Sequence, residues 1–150
     1  MADIKTPEER SRNMAAIKGK DTKPEVYLRK LLFSKGYRYR KNSTKVSGHP
    51  DIWLAQYKTA IFVHGCYWHR HTDCRFSYMP KSNVAFWLRK FEENVSRDML
   101  VKEKLKSEEI KCVVVWECTI KCMQKQPACC EANLSSIISF LNSDDSYLEL

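Results

Sequence analysis

Asp51-Ile52-Trp53-Leu54-Ala55-Gln56-Tyr57-Lys58-Thr59-Ala60-Ile61-Phe62-Val63-His64, residues 51–64, sets the architecture of this chain. Residues 51–55 and 59–64 are short apolar runs rich in β-branched and aromatic side chains, and Tyr57-Lys58 reads as a turn between them. That pattern predicts a β-hairpin. Further on, Lys111-Cys112-Val113-Val114-Val115-Trp116 is strongly apolar, as expected of a strand buried on both faces. Between these strands, residues 83–108 carry Phe86, Trp87, Phe91, Val95 and Leu105 at roughly helical spacing. Strand, helix, strand in this order makes a parallel crossover. The segments that follow strands 59–64 and 111–116 should then leave the sheet at one edge.

Working outward, Thr22-Lys23-Pro24-Glu25 combines a capping box with proline in the first turn. It opens a helix carrying Val26, Leu28, Leu31 and Leu32, closed by Gly36. Thr6-Pro7-Glu8-Glu9 gives the same start signal for an earlier helix, running to about Ile17 with Gly19 near its stop. Tyr37 to Arg40 reads as a short strand, followed by a polar loop to Pro50. Residues 65–81 form an irregular loop, 131–141 a last helix, and 142–150 a frayed end. The expectation is a single α/β domain over 1–150, a mixed central sheet flanked by helices. Residues 1–20 make a basic N-terminal arm, and 124–150 a C-terminal helical extension with no role legible in it.

The charge is lopsided. The chain carries a formal net charge of +8, and residues 1–45 hold 13 of the 26 Lys and Arg but 5 of the 18 Asp and Glu. Such a basic end suits a phosphate backbone, whose counterions it releases. No apolar run approaches the ~18 residues of a membrane span, and Met-Ala-Asp-Ile-Lys lacks the apolar stretch of a signal peptide. The reading excludes a membrane partner and points to the cytoplasm. Seven cysteines, an odd number without a secretion signal, argue for metal ligation or burial rather than disulfides.

Two constellations carry chemistry. Cys66, His71 and Cys74 are spaced C-x4-H-x2-C in one loop, and a parallel crossover brings Cys118 to the same sheet edge. Two or three thiolates plus an imidazole suit tetrahedral zinc, and four protein ligands make the site structural. Cys122, one helical turn beyond Cys118, competes for the fourth place. The second constellation is acidic and imidazole-rich. Asp51, at the start of a hairpin strand, offers the carboxylate oxygen that a hard cation such as Mg²⁺ needs. His64 and His69 suit proton transfer or phosphate contact, because imidazole titrates near neutral pH. Asp98, on the long helix, can orient one imidazole, while Glu25 has a structural role in the capping box. Tyr67 and Trp68, in a polar loop, suit stacking on bases or wedging between base pairs; Trp87 on its helix reads first as core.

At this point the residues resemble a known family. Residues 61–71, Ile-Phe-Val-His-Gly-Cys-Tyr-Trp-His-Arg-His, are similar to the signature of very short patch repair (Vsr) endonucleases. So are Ser11-Arg12-Asn13-Met14, Gly48-His49-Pro50-Asp51, Phe86-Trp87-Leu88, Asn94-Val95-Ser96-Arg97-Asp98 and Val115-Trp116-Glu117-Cys118, in family order over residues 8–120. The resemblance implies a restriction-endonuclease-like core, two catalytic Mg²⁺, one structural Zn²⁺, and nicking 5′ to the thymine of a T:G mismatch arising from 5-methylcytosine deamination. It implies Asp51 as the magnesium carboxylate, with the Val63 carbonyl as a second ligand. It makes His69 the general base oriented by Asp98, with His64 assisting at the phosphate and Glu25 supporting the site. It makes Cys66, His71, Cys74 and Cys118 the zinc ligands. Tyr67, Trp68 and Trp87 form the aromatic wedge, with Met14 inserting from the arm. Val63 and Tyr67 depart from the usual Thr and Phe of the family. The implied partner is mismatched double-stranded DNA bound by a monomer, with mismatch-repair proteins as further partners. Two readings compete: a zinc-stabilised DNA-binding module without catalysis, and a restriction-type nuclease acting on matched DNA.

Overall fold

The computed structural model describes residues 21–150. The helix expected over 6–17, the arm and Met14 lie outside the described residues. The elements are α1 (Lys23–Ser34), β1 (Arg40–Lys41), β2 (Ile52–Leu54), a 3-10 turn (Ala55–Tyr57), β3 (Thr59–His64), α2 (Val84–Ser107), β4 (Lys111–Trp116), α3 (Glu117–Lys125), α4 (Pro127–Leu141) and β5 (Tyr147–Glu149). The α/β expectation is met: one mixed five-stranded sheet in the order β1-β2-β3-β4-β5.

The hairpin and the crossover form as the sequence dictates. β2 pairs antiparallel with β3, Ile52 opposite Ile61. β3 pairs parallel with β4 along its whole length, from Thr59 opposite Lys111 to His64 opposite Trp116. Alternation then sorts the side chains. Ile52, Leu54, Ile61, Val113 and Val115 face α1, α3 and α4, meeting Leu28, Leu32, Ile120, Met123, Leu134 and Ile137. Ala60, Phe62, Cys112, Val114 and Trp116 face the other way, toward Leu105 of α2, Val46 and Cys66.

Three expectations need correcting. The apolar positions of the long helix do not all turn inward: Phe91, Asn94 and Leu105 are its buried residues, while Phe86 and Val95 are exposed. α2 covers the sheet mainly with its C-terminal half, and its first turns project over the loop 65–81. The last helix, expected over 131–141, begins at Pro127, and α3 precedes it directly after β4, although Trp116 at its N-cap offers no capping side chain. The end of the chain is not frayed. β5 adds a second parallel strand, with Cys112 opposite Tyr147, and Leu150 donates its N–H to the Val114 carbonyl at 2.9 Å. Lys111 holds the turn before β5, its Nζ donating to the Ser143 carbonyl at 2.8 Å.

Gly48 is the tightest joint between the polar loop and this framework. Its φ is +80°, and a Cβ built there would overlap Val101 Cγ1 of α2 and approach the Phe62 ring to 3.2 Å. Both the backbone conformation and the close approach require glycine. Gly48→Ala is expected to cost about 2 kcal/mol, a fall in Tm of roughly 4–8 °C. Combined with Val101→Ala, the loss should be less than additive, because the second change removes the atom the new methyl meets. Thermal unfolding of the four proteins checks this; strict additivity would contradict the packing described.

Candidate functional site

Asp51 stands immediately before β2, and its position is fixed from two sides. Its Oδ2 accepts the Val63 N–H at 2.7 Å. Its carbonyl accepts Arg29 Nε at 3.2 Å and Nη2 at 2.9 Å. Arg29, 4% exposed, also donates to Asp21 Oδ1 at 2.7 Å and to Asn42 Oδ1 at 3.0 Å. Glu25, one helical turn before it, closes the capping box by accepting the Thr22 N–H at 3.1 Å. Its carboxylate lies 3.6 Å from Arg29 Nη2 and beside Asp51. Glu25 thus has both roles, cap and site neighbour. Burial, reinforced by the Glu25 carboxylate, pushes the Asp51 carboxyl up to about 7, with the Val63 N–H pulling the other way. Arg29 was not anticipated. Its place four residues after Glu25, on the face that carries Leu28 and Leu32, was the signal for a buried cation.

His64 ends β3 and His69 follows on the loop. Their rings stack at 3.9 Å with 5° between planes. Asp98 of α2 reaches His69 Nδ1 with Oδ2 at 2.6 Å. A carboxylate at that nitrogen fixes the orientation of the ring. Burial, and then the neighbouring His69, lower the His64 pKa to about 4, so that ring is neutral at pH 7. Asn94 Nδ2 donates to the Trp68 carbonyl at 3.1 Å and ties the loop to α2. A cavity of about 490 Å³ between α2 and the sheet is lined by Glu25, Asp51, Val63, His64, His69 and Asp98 together. His49, Arg97 and Lys102 also line it; the sequence had assigned none of these three a role.

The cysteine–histidine constellation lies at the edge where β3 and β4 end. One donor atom each of Cys66, His71, Cys74 and Cys118 falls within 4.8 Å of all the others. The Cys118 N–H donates to Cys66 Sγ at 3.4 Å, and Cys118 Sγ lies 3.4 Å from His71 Nδ1. Cys122 is outside the group. Three thiols and one imidazole, convergent and partly buried, fit a tetrahedral thiophilic cation such as Zn²⁺. Trp116 joins the two constellations. His71 stacks on it at 4.2 Å and 8°, while His64 meets it at 5.3 Å and 73°.

Tyr67, Trp68 and Trp87 form one aromatic cluster. Tyr67 is 5.1 Å from Trp68 and 6.1 Å from Trp87, and Trp68 is 5.8 Å from Trp87. All three are only partly buried, so Trp87 is no core residue but part of a surface cluster. Arg70 lies over Phe91 at 4.0 Å and underpins the cluster from below.

Comparison with known proteins follows from this geometry. The family described as "DNA mismatch endonuclease Vsr" matches residues 2–75. The chain is 44% identical over 138 residues to the type II nicking enzyme V.NmeAIP of Neisseria meningitidis, covering 92% of this chain and 95% of that protein. It is 39% identical over 120 residues to the type II nicking enzyme V.XorIIP of Xanthomonas oryzae, covering 80% and 88%. It is 36% identical over 125 residues to the DNA mismatch endonuclease Vsr of Escherichia coli, covering 83% and 80%. Among the described residues no helix is long and apolar enough to cross a membrane.

The Asp51 environment gives a stability prediction. A carboxyl that keeps its proton to about pH 7 when folded, against 3.8 ordinarily, makes the native state the tighter proton binder between those values. Stability then falls as pH rises through this window, and the cost is fully present above it. Asp51→Asn removes the charge and keeps an acceptor for the Val63 N–H. Its Tm in metal-free buffer should exceed that of the parent at pH 8, with the gap closing toward pH 4. Equal or lower Tm at pH 8 would refute the buried-charge account.

Proposed function

The chain belongs to the Vsr family of DNA mismatch endonucleases, and from that premise we propose that it nicks one strand of duplex DNA 5′ to the thymine of a T:G mismatch arising from 5-methylcytosine deamination, by Mg²⁺-dependent hydrolysis. The observation that carries the reading is the single cavity shared by Asp51 and the His69–Asp98 pair. It offers a carboxylate for a cation and an imidazole for a water proton within one cavity.

In this reading Asp98 holds the His69 ring, and Nε2 accepts the proton of the attacking water. His64, neutral at pH 7, contacts the phosphate. Glu25 and Arg29 fix Asp51 at the metal side of the cavity. The Asp51 carboxylate and the Val63 carbonyl would hold Mg²⁺, two ions in all; the bound cation supplies charge stabilisation at the phosphate and offsets the cost of ionising Asp51. A main-chain ligand is indifferent to valine at position 63. Cys66, His71, Cys74 and Cys118 would hold one Zn²⁺ that braces the loop carrying Tyr67, Trp68 and His69. Those aromatics, with Trp87, wedge into the duplex, and Met14 joins them from the arm over 1–20. A mismatched step is poorly stacked, so wedging there costs less than in matched DNA. Within this reading residues 1–150 act as one nuclease domain, working as a monomer in the cytoplasm alongside mismatch-repair proteins, and 124–150 remain a helical extension that closes the sheet edge.

Duplexes that differ only in a T:G or a T:A pair test it. With Mg²⁺ the T:G duplex should be cut in one strand, 5′ to the thymine, and the matched duplex left whole. Equal cutting of both would favour a restriction-type nuclease; tight binding with no cutting would favour a binding module. Asp51→Ala should abolish nicking and keep binding, and His69→Ala should slow it by about 10²–10⁴-fold. Metal analysis should find one zinc per chain, lost in Cys74→Ala together with several degrees of Tm. A zinc-free, fully folded parent would remove the structural-zinc part.

A further inference from the structure

Beside the cavity that holds Asp51 and His69 lies a second, more open one of about 440 Å³, between the loop 44–49 and the outer face of α2. The two share Gly48, His49, Arg97 and Val101 along a common rim. Lys45 and Lys104 complete a basic wall with His49 and Arg97. All four side chains are exposed, and among the described residues Lys45, Arg97 and Lys104 form no ion pair. The acid at the margin, Glu108, is engaged by Ser47 Oγ at 2.6 Å. Arg97, Val101 and Lys104 follow one another at i, i+4 and i+7, hence on one helix face, and span about 10 Å along the axis. In the loop opposite, Gly48 lies so close to Val101 and Phe62 that a Cβ there would meet both. This cationic trough shares its rim with the cavity of Asp51 and His69.

We infer that this trough seats the sugar-phosphate backbone of the nicked strand beside the bond being cut, with Lys45, Arg97 and Lys104 as its phosphate contacts. The inference rests on the endonuclease reading for its ligand and extends it to residues outside the catalytic machinery. Phosphate contacts fix register without reading sequence. The trough therefore positions the scissile bond over Asp51 and leaves mismatch choice to other parts. Its lining carries Lys45, Arg97 and Lys104 and, among the described residues, no carboxylate, which suits an anionic backbone.

Binding to a T:G duplex with Ca²⁺ in place of Mg²⁺, over a range of salt, tests it. Lys45→Ala and Lys104→Ala should each lower the slope of log affinity against log salt by about 0.9. Lys125→Ala, on α3 beyond the other face of the sheet, should leave the slope unchanged. A single uncharged methylphosphonate near the nick should weaken the parent at one position yet leave Lys104→Ala indifferent there. Groove variants with the parent's slope, or a loss no different from that of Lys125→Ala, would overturn the trough. Failure of the parent to nick at all, with the slopes changed as expected, would instead strike the reading of the reaction and leave the trough standing.

Discussion

The parallel pairing of β3 with β4 is the constraint on which the rest hangs. It lines up six residues of each strand, so both chains leave the sheet at the same edge and in the same direction. Cys66 and Cys118 meet there only because His64 lies opposite Trp116. A one-residue slip would exchange the faces of every side chain on β3. Phe62 and His64 would turn into the layer that packs on α1, and Ile61 and Val63 would face the cavity. The register is secured by the apolar load on both faces, since Ile61, Val113 and Val115 are fully buried on one side and Ala60 on the other.

On that frame the site is built from charges held where water would not hold them. Asp51 and Glu25 are neighbouring acids in a poorly solvated place, and Arg29 donates to the Asp51 carbonyl, its charge lowering the carboxyl's pKa less than burial raises it. Two carboxyls so placed destabilise the ionised empty site. The same arrangement favours a doubly charged cation, which resolves the repulsion. The imidazole side is arranged the opposite way. Burial keeps His64 neutral, and Asp98 fixes the His69 ring through Nδ1. A pair of carboxyls and a pair of imidazoles line one cavity.

Much of this was legible in the residues because short-range chemistry determined it. The hairpin, the crossover, the capping box of α1 and the C-x4-H-x2-C spacing are each readable within a few positions. The convergence of Cys118 on Cys66 followed from topology alone. What escaped depended on partners distant in sequence. Arg29 has the length of an ordinary surface cation, and its burial is set by Asp21, Asn42 and Asp51. The exposed stripe of α2 kept the periodicity of a buried one, since periodicity records spacing and not which neighbour arrives. β5 has three residues, too few for alternation to register, and exists because β4 offers it an edge. Helix position alone suggested core for Trp87 and only the resemblance placed it with the loop aromatics, which are its neighbours.

Trp116 has a wider meaning than its place at the end of a strand suggests. One indole touches His71 of the thiol cluster with its face and His64 of the cavity at close range. Thiol cluster and cavity are thus separated by the width of a single ring. Any displacement of that indole is felt on both sides at once, so neither group can be repacked without the other.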